Sequence, residues 1–275
     1  MSVQSTYFTS SKIAKKLKLG HGQGQGSRYI PWLTIQEFTS TGRSHRVYSH
    51  KTQRIHHLFS DLELSIFLLM EWSDSVIDVR ERFPMKREEA VDIAHQAGIP
   101  YPTKNNVSQL LFSDFLVDLN DSEERQFVLN VRPSSTLQKV SVVNQLELER
   151  RYWKKKGIKQ YIATEKQLDA DVIKNIEKLA PLIGNMDDLT DEVVEQVPIF
   201  QWQMEKHPNH TVIDICKNID RSQDLSLGTS LRQLKALLAN RVLTFDIRKP
   251  LNQLRYEDIR FVEDLDWLGE KNVAN

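Results

Sequence analysis

Four side chains in this sequence are of the types that could do chemistry together: Glu63, Asp114, Asn130 and Arg132. The runs L-F-S-D-F-L-V-D (Leu111 to Asp118) and Q-F-V-L-N-V-R (Gln126 to Arg132) alternate apolar and polar residues, with polar N-D-S-E-E-R between them. Two period-two runs joined by turn residues predict an antiparallel hairpin. Side chains repeat every second position, so Asn130 and Arg132 share one face, and Asp114 shares its face with Leu116. If those faces coincide, a carboxylate, an amide oxygen and a cation meet. Carboxylates and an amide oxygen can hold one or two Mg²⁺ ions, with Mn²⁺ able to substitute. Such ions activate a water and neutralise a phosphate, which is the chemistry of phosphodiester hydrolysis. A neighbouring cation can orient the water or offset developing charge.

The elements around these residues must bring them together. S-D-L-E at Ser60 to Glu63 is a capping-box pattern that opens a helix running to about Trp72. The helix is apolar almost all round, so it should be buried. Glu63 then has two readings: it completes the cap, or it aims at a site where its desolvation requires a cation. Val76 to Phe83 reads as a strand with Ile77, Val79 and Phe83 on one face. A helix is expected around Glu88 to Ala97, then the hairpin, a helix over Lys139 to Lys156 ending at Gly157, and a strand over Ile158 to Thr164. A strand–helix–strand crossover makes the last two strands parallel and right-handed. The expectation is a mixed α/β sheet flanked by helices.

Zero net charge hides an asymmetry. Residues 1–60 carry nine Lys or Arg and five His against one acid, Glu37, while residues 61–100 reverse the sign. A basic section on a neutral chain suits a polyanion; a solvated basic arm explains it equally. If the partner is DNA, the candidate contacts are Lys12, Lys15, Lys16, Arg28, Arg43, Arg46, His56 and His57. Between them, G-H-G-Q-G-Q-G (Gly20 to Gly26) lacks the preceding strand and following helix of a phosphate cradle, so a flexible connector is expected. Apolar content of 40% allows a substantial core, and no eighteen-residue apolar run or signal-type segment appears, so a cytoplasmic chain with no membrane span is expected. The single cysteine, Cys216, excludes an internal disulfide and reads as a buried structural thiol.

Beyond Thr164 the pattern turns helical: Ala170 to Ile183, Thr190 to Val197, and Phe200 to Lys206 after a break at Pro198. Thr211 to Ile219 and Ser230 to Ala239 follow, then an alternating strand over Arg241 to Arg248. Helix, turn, helix and strand is a winged-helix order. Its second helix carries only Arg232 and Lys235, which favours a protein partner over DNA. A winged-helix transcription regulator would leave the acidic groups upstream unexplained.

Longer stretches carry a resemblance. R-I-H-H-L-F-S-D-L-E-L, G-Q-G with Y-I-P-W-L-T, T-G-R-S-H-R-V-Y-S-H-K-T, S-D-F-L-V-D, L-E-L-E-R-R-Y-W, I-C-K and L-S-L-G-T-S-L together resemble the TnsA family. These are endonuclease subunits of heteromeric bacterial cut-and-paste transposases. The resemblance spans nearly the whole chain. It implies a restriction-endonuclease-like catalytic domain over 1–165, with its basic section at 1–59, and a mainly helical, winged-helix-like domain over 166–275. It implies cutting of the 5′ strands of double-stranded DNA at transposon ends, together with a TnsB-like transposase and a TnsC-like ATPase that docks on the C-terminal domain. Glu63 and Asp114 match the catalytic carboxylates, and Glu149 matches a third acidic position that could equally be a solvated helix residue. Where the family has Gln-x-Lys, this chain has Asn130-Val131-Arg132. The implied ion ligands are thus Glu63, Asp114, Asn130 and Val131, with Arg132 as the catalytic cation. Arginine is bulkier and planar and keeps its proton, so it does not simply replace lysine. Two readings follow: an active Mg²⁺-dependent nuclease, or a degenerate nuclease-fold subunit for DNA binding and assembly.

Overall fold

The basic N-terminal section is anchored in the computed structural model, which describes residues 8–37, 42–121, 123–184 and 195–261. Thr9 caps helix α1 (Ser10–Lys18), its hydroxyl accepting the Lys12 N–H at 3.3 Å. Phe8 and Ile13 bury against Trp32, Leu33, Phe59 and Leu110; a large apolar side chain taken out of water stabilises by roughly 1.5–3 kcal/mol. The glycine stretch is a defined loop, contrary to the flexible connector expected. The Gly22 N–H donates to the Ile30 carbonyl at 2.6 Å, and the Gly26 N–H to Asp78 Oδ2 at 3.1 Å. Gly22 has φ +75, and a Cβ there would lie 2.1 Å from the Pro84 ring. The glycine is required by close approach, which sequence spacing does not reveal.

Strands β1 (His45–Ser49) and β2 (Arg54–Leu58) form an antiparallel hairpin. Helix α2 (Asp61–Trp72) follows, with the Ser60 hydroxyl accepting the Glu63 N–H at 3.1 Å. At its other end Lys51 Nζ donates to the Val76 carbonyl at 2.9 Å and the Met70 carbonyl at 3.3 Å, where a cation suits the helix dipole.

Next come β3 (Val76–Pro84), α3 (Arg87–Ala97), and a small hairpin of β4 (Thr103–Lys104) and β5 (Val107–Ser108). Strands β6 (Phe112–Leu119) and β7 (Gln126–Val131), helix α4 (Val140–Lys155) and β8 (Lys159–Ala163) complete the N-terminal part. One four-stranded sheet results, in the order β3-β6-β7-β8. The pairings β3/β6 and β6/β7 are antiparallel; β7/β8, joined through α4, is parallel as the crossover requires. The sheet has a core on each side. Ile66 and Phe67 of α2 pack with Val79, Phe115, Val117 and Val131, while α3 and α4 supply Ile93, Leu148, Tyr152 and Trp153 against Leu116 and Val128.

Strand β3 departs from simple alternation. Its pairing with β6 shifts between Val76 and Asp78, a bulge that leaves Ile77 54% exposed while Val79 is buried. A second irregularity lies at Arg82, whose φ is +51. Phe83 consequently packs against the α3/α4 core rather than beside Val79. Ile77, Val79 and Phe83 therefore do not share a face, because two breaks in the pleat intervene.

The chain divides into two units, Met1–Leu168 and Asp169–Asn275. In the second, α5 is Ala170–Leu179 and α6 is Val197–Lys206. Pro198 lies in the first turn of α6, where its missing N–H costs nothing, so it starts this helix instead of breaking it. The helix expected over Thr190 to Val197 falls mostly outside the described residues. Helices α7 (Val212–Ser222) and α8 (Thr229–Ala239) match the next two expected, with Cys216 buried between core residues and its thiol pushed up to about 12 by burial. Such a thiol is inert at neutral pH. Only Leu243–Thr244 (β9) of the expected 241–248 strand is extended, paired with β10 (Arg260–Phe261). Asp246 ends it by accepting the Arg248 N–H in a local turn. No helix among the described residues is long and apolar enough to cross a membrane.

Candidate active site

Glu63 sits at the third position of α2, its carboxylate shared between a backbone N–H before the helix and a buried cation. Its Oε2 accepts the Phe59 N–H at 2.9 Å, one residue before the cap predicted from the pattern. Its Oε1 accepts from Arg82 Nη2. Asp114 lies where β6 and β7 separate, past the Phe115↔Leu129 pair. Its Oδ2 accepts the Val131 N–H at 2.8 Å, replacing a ladder bond with a side-chain bond. Arg82 Nη1 donates to Asp114 Oδ1, and Arg132 Nη1 donates to Asp114 Oδ2.

Arg82 is the residue that sequence reasoning missed. The residue is 2% exposed, and its guanidinium bridges Glu63 and Asp114, with Phe59 and Phe112 rings at 4.5 Å and 5.6 Å from its centre. A left-handed backbone at a bulky residue costs about 1–3 kcal/mol and needs compensation from its surroundings. The signal was present in V-I-D-V-R-E-R-F, where four charges punctuate a strand with cores on both sides. Each buried charge there needs a partner: Arg80 reaches Asp118, Glu81 reaches Arg54, and Arg82 reaches the two acids.

Glu149, on α4, is fully buried and not the solvated helix residue its surroundings in sequence allow. Its Oε2 accepts from Asn130 Nδ2 at 2.7 Å and from the Ser113 hydroxyl at 2.9 Å, and its Oε1 from Gln145 Nε2 at 3.1 Å. Ser113 in turn accepts from the Trp153 indole at 2.8 Å. Asn130 Oδ1 accepts from Gln160 Nε2 at 2.7 Å. Both ends of the Asn130 amide are thus engaged away from Glu63 and Asp114. Asn is a methylene shorter than Gln, and in this structure its amide bonds to Glu149 and Gln160 instead of to the two acids.

Electrostatics separates the three acids. Burial pushes the Glu63 carboxyl up, with Asp114 adding to the rise against the pull of Arg82. Burial acts on Asp114 too, but Arg132, Arg82 and the Val131 N–H together hold it below the usual aspartate range. Glu149 is driven from its ordinary 4.5 to about 7, mainly by burial and then by Asp114, against Arg132 and its donors.

That shift has a stability consequence. A carboxyl raised on folding keeps a proton the unfolded chain has lost, so its contribution is full below about pH 4.5 and declines until about pH 7. The loss amounts to about 3 kcal/mol. Glu149→Gln removes the slope while keeping an oxygen acceptor. In urea unfolding at about pH 5 and about pH 8, the variant should gain about 3 kcal/mol on the parent across the interval.

The donors available to an ion can be read directly. Glu63 Oε1 and Asp114 Oδ1 converge on the Arg82 guanidinium; Asp114 Oδ2 and the Val131 carbonyl both accept from Arg132 Nη1, the latter at 2.8 Å. These are hard oxygens, carrying negative charge, of the kind Mg²⁺ takes. They fit a divalent ion in type, with arginine nitrogens at the two points of convergence. Among the described residues, no group of three or more His, Cys, Asp or Glu side chains gathers as a ready-made cage.

The candidate DNA contacts divide. Lys12, Lys15, Arg28, Arg43 and Arg46 are exposed. Lys16 is buried, donating to the Trp32 carbonyl at 2.8 Å and paired with Glu37 at 2.6 Å. His56 is fully buried, 2.8 Å from the Thr52 hydroxyl and 2.9 Å from Glu81. Both are internal scaffold, so they are withdrawn as DNA contacts. His57 is half-buried, its ring pKa lowered chiefly by burial.

Comparison with known proteins bears on the whole chain. Residues 73–165 match the family model for the TnsA-like endonuclease N terminal, and residues 167–247 that for the TnsA endonuclease C terminal. The chain is 39% identical over 275 residues to the transposon Tn7 transposition protein TnsA of Escherichia coli, covering 100% of both sequences. Glu63 precedes the first matched segment, while Asp114, Asn130, Arg132 and Glu149 lie within it.

Proposed function

We propose, from the premise that this chain belongs to the TnsA endonuclease family, that it is the subunit that cuts the 5′ strands at transposon ends in a Mg²⁺-dependent reaction. The observation that carries the reading is the convergence of Glu63 and Asp114, from a helix and a strand far apart in sequence, on one cation position. Glu63, Asp114 and the Val131 carbonyl would hold the ion, which when bound supplies an activated water and neutralises the scissile phosphate. The Val131 N–H fixes the Asp114 carboxylate, and the Phe59 N–H fixes that of Glu63, so neither reorganises when a substrate arrives. Arg132, 15% exposed at its side chain, provides positive charge beside Asp114 that a phosphate can share. The exposed Lys12, Lys15, Arg28, Arg43 and Arg46 are the proposed backbone contacts to duplex DNA. A TnsB-like transposase and a TnsC-like ATPase are the proposed partners, the latter through a winged-helix-like arrangement around α7 and α8.

Supercoiled DNA carrying transposon ends, incubated with the partner proteins and Mg²⁺, should acquire 5′-strand nicks. EDTA should abolish them and Mn²⁺ should restore them. The second reading, a degenerate assembly subunit, is favoured by the two arginines on Asp114. Arg132→Lys separates the two. Nicking by the parent chain that changes little in the variant supports the nuclease; no nicking until lysine is restored supports degeneracy.

A further inference from the structure

We propose that Arg82 is an internal counter-ion that holds the divalent-ion position closed, and that an ion binds only when its guanidinium swings out. The inference rests on the reading of Glu63 and Asp114 as ion ligands. Among the described residues, Arg82 alone bridges both acids; Arg132 pairs only with Asp114. A guanidinium and a divalent ion need the same carboxylate oxygens, Glu63 Oε1 and Asp114 Oδ1, so they exclude one another. Without a cation there, two buried carboxylates would face each other uncompensated. Arg82 supplies that charge and keeps the pair assembled while no ion is bound.

The backbone at Arg82 is itself unusual. Arg82 holds φ +51 inside a strand, while Glu81↔Phe115 and Phe83↔Ser113 pair in register on either side. Both flanking pairs can stay in place while the long side chain rotates about its own torsions and carries the guanidinium away from the acids. The Phe59 and Phe112 rings favour the inward position. The closed state is therefore built from specific contacts, and its population lowers the apparent affinity for an ion.

The test uses the full chain without DNA and reads Mn²⁺ binding by calorimetry and by electron paramagnetic resonance of the free ion. The parent should bind weakly and Arg82→Gln roughly tenfold or more tightly. Arg82→Lys, which cannot span both acids, should fall between. Asp114→Asn should bind no Mn²⁺. Equal binding by the parent and Arg82→Gln overturns the proposal and leaves the ion-site reading standing. Absence of binding in Arg82→Gln, Arg82→Lys and parent alike overturns both. If Arg82→Gln does not fold, Arg82→Lys must bind more tightly than the parent, or the proposal fails. Thermal melting provides a second readout: Mn²⁺ should raise the Tm of the Arg82 variants more than that of the parent.

Discussion

Asp114→Asn is expected to lower end cutting by on the order of a thousandfold and to destabilise the fold by about 3–5 kcal/mol. Both effects come from one carboxylate with two duties. Asp114 is 2% exposed and carries Arg82 on one oxygen, and Arg132 with the Val131 N–H on the other. Removing its charge leaves two guanidinium groups short of compensation in a buried site. Glu63 still faces Arg82, so the damage stays local. Because the folded pKa of Asp114 is depressed, its stabilisation is present above the unfolded value near 3.9 and is lost as pH falls through the folded one. Urea unfolding at neutral pH should show the full deficit, and the difference from the parent should shrink in acid. Nicking retained at near-parent rates, in a variant shown to be folded, would remove Asp114 from the reaction.

Glu81→Gln should cost a comparable 3–5 kcal/mol, roughly, while leaving the acid pair intact. Glu81 is 1% exposed and joins the β1/β2 hairpin to the sheet. Arg54 donates to it twice, at 2.9 Å and 2.6 Å; the His57 N–H donates at 3.2 Å, and His56 lies 2.9 Å away. Burial opposes its ionisation, yet His56 and Arg54 hold its carboxyl far below the usual glutamate range. A neutral amide keeps the volume but turns a donor toward Arg54, stranding that guanidinium. The sign follows as for Asp114: the contribution is present above the unfolded value and is lost in acid as pH falls through the folded one. Measured by urea unfolding, a loss under about 1 kcal/mol would mean that the hairpin is held by apolar packing instead.

The two variants address different layers of one design. Strand β3 threads charges between two hydrophobic cores, and each finds a partner outside the strand, Asp78 in the Gly26 N–H. Arg80 meets Asp118 on β6, Glu81 meets Arg54 on β2, and Arg82 meets Glu63 on α2 and Asp114 on β6. Removing one side of any such pair exposes the desolvation cost of the other. That is why a strand that looks too polar for a core still occupies one.

Periodicity in the sequence was enough to place α2, the β6/β7 hairpin, α4 and the parallel β8, because burying one face of a helix or strand imposes its own spacing. Ser60 and Glu63 likewise identified the start of α2, since capping is local chemistry. Residue types and spacing brought Glu63 and Asp114 to notice, and the family resemblance added Glu149. What they face was decided by tertiary structure. Asn130 turned to Glu149, Lys16 and His56 went inside, and Arg82 came between Glu63 and Asp114. The position of Arg82 does not follow from spacing, because a bulge at Ile77 and its own left-handed backbone interrupt the alternation of that strand, and spacing gives the face of a side chain but not its partner. Partners for buried charges are chosen in three dimensions, by whichever opposite charge the packed elements bring within hydrogen-bonding reach.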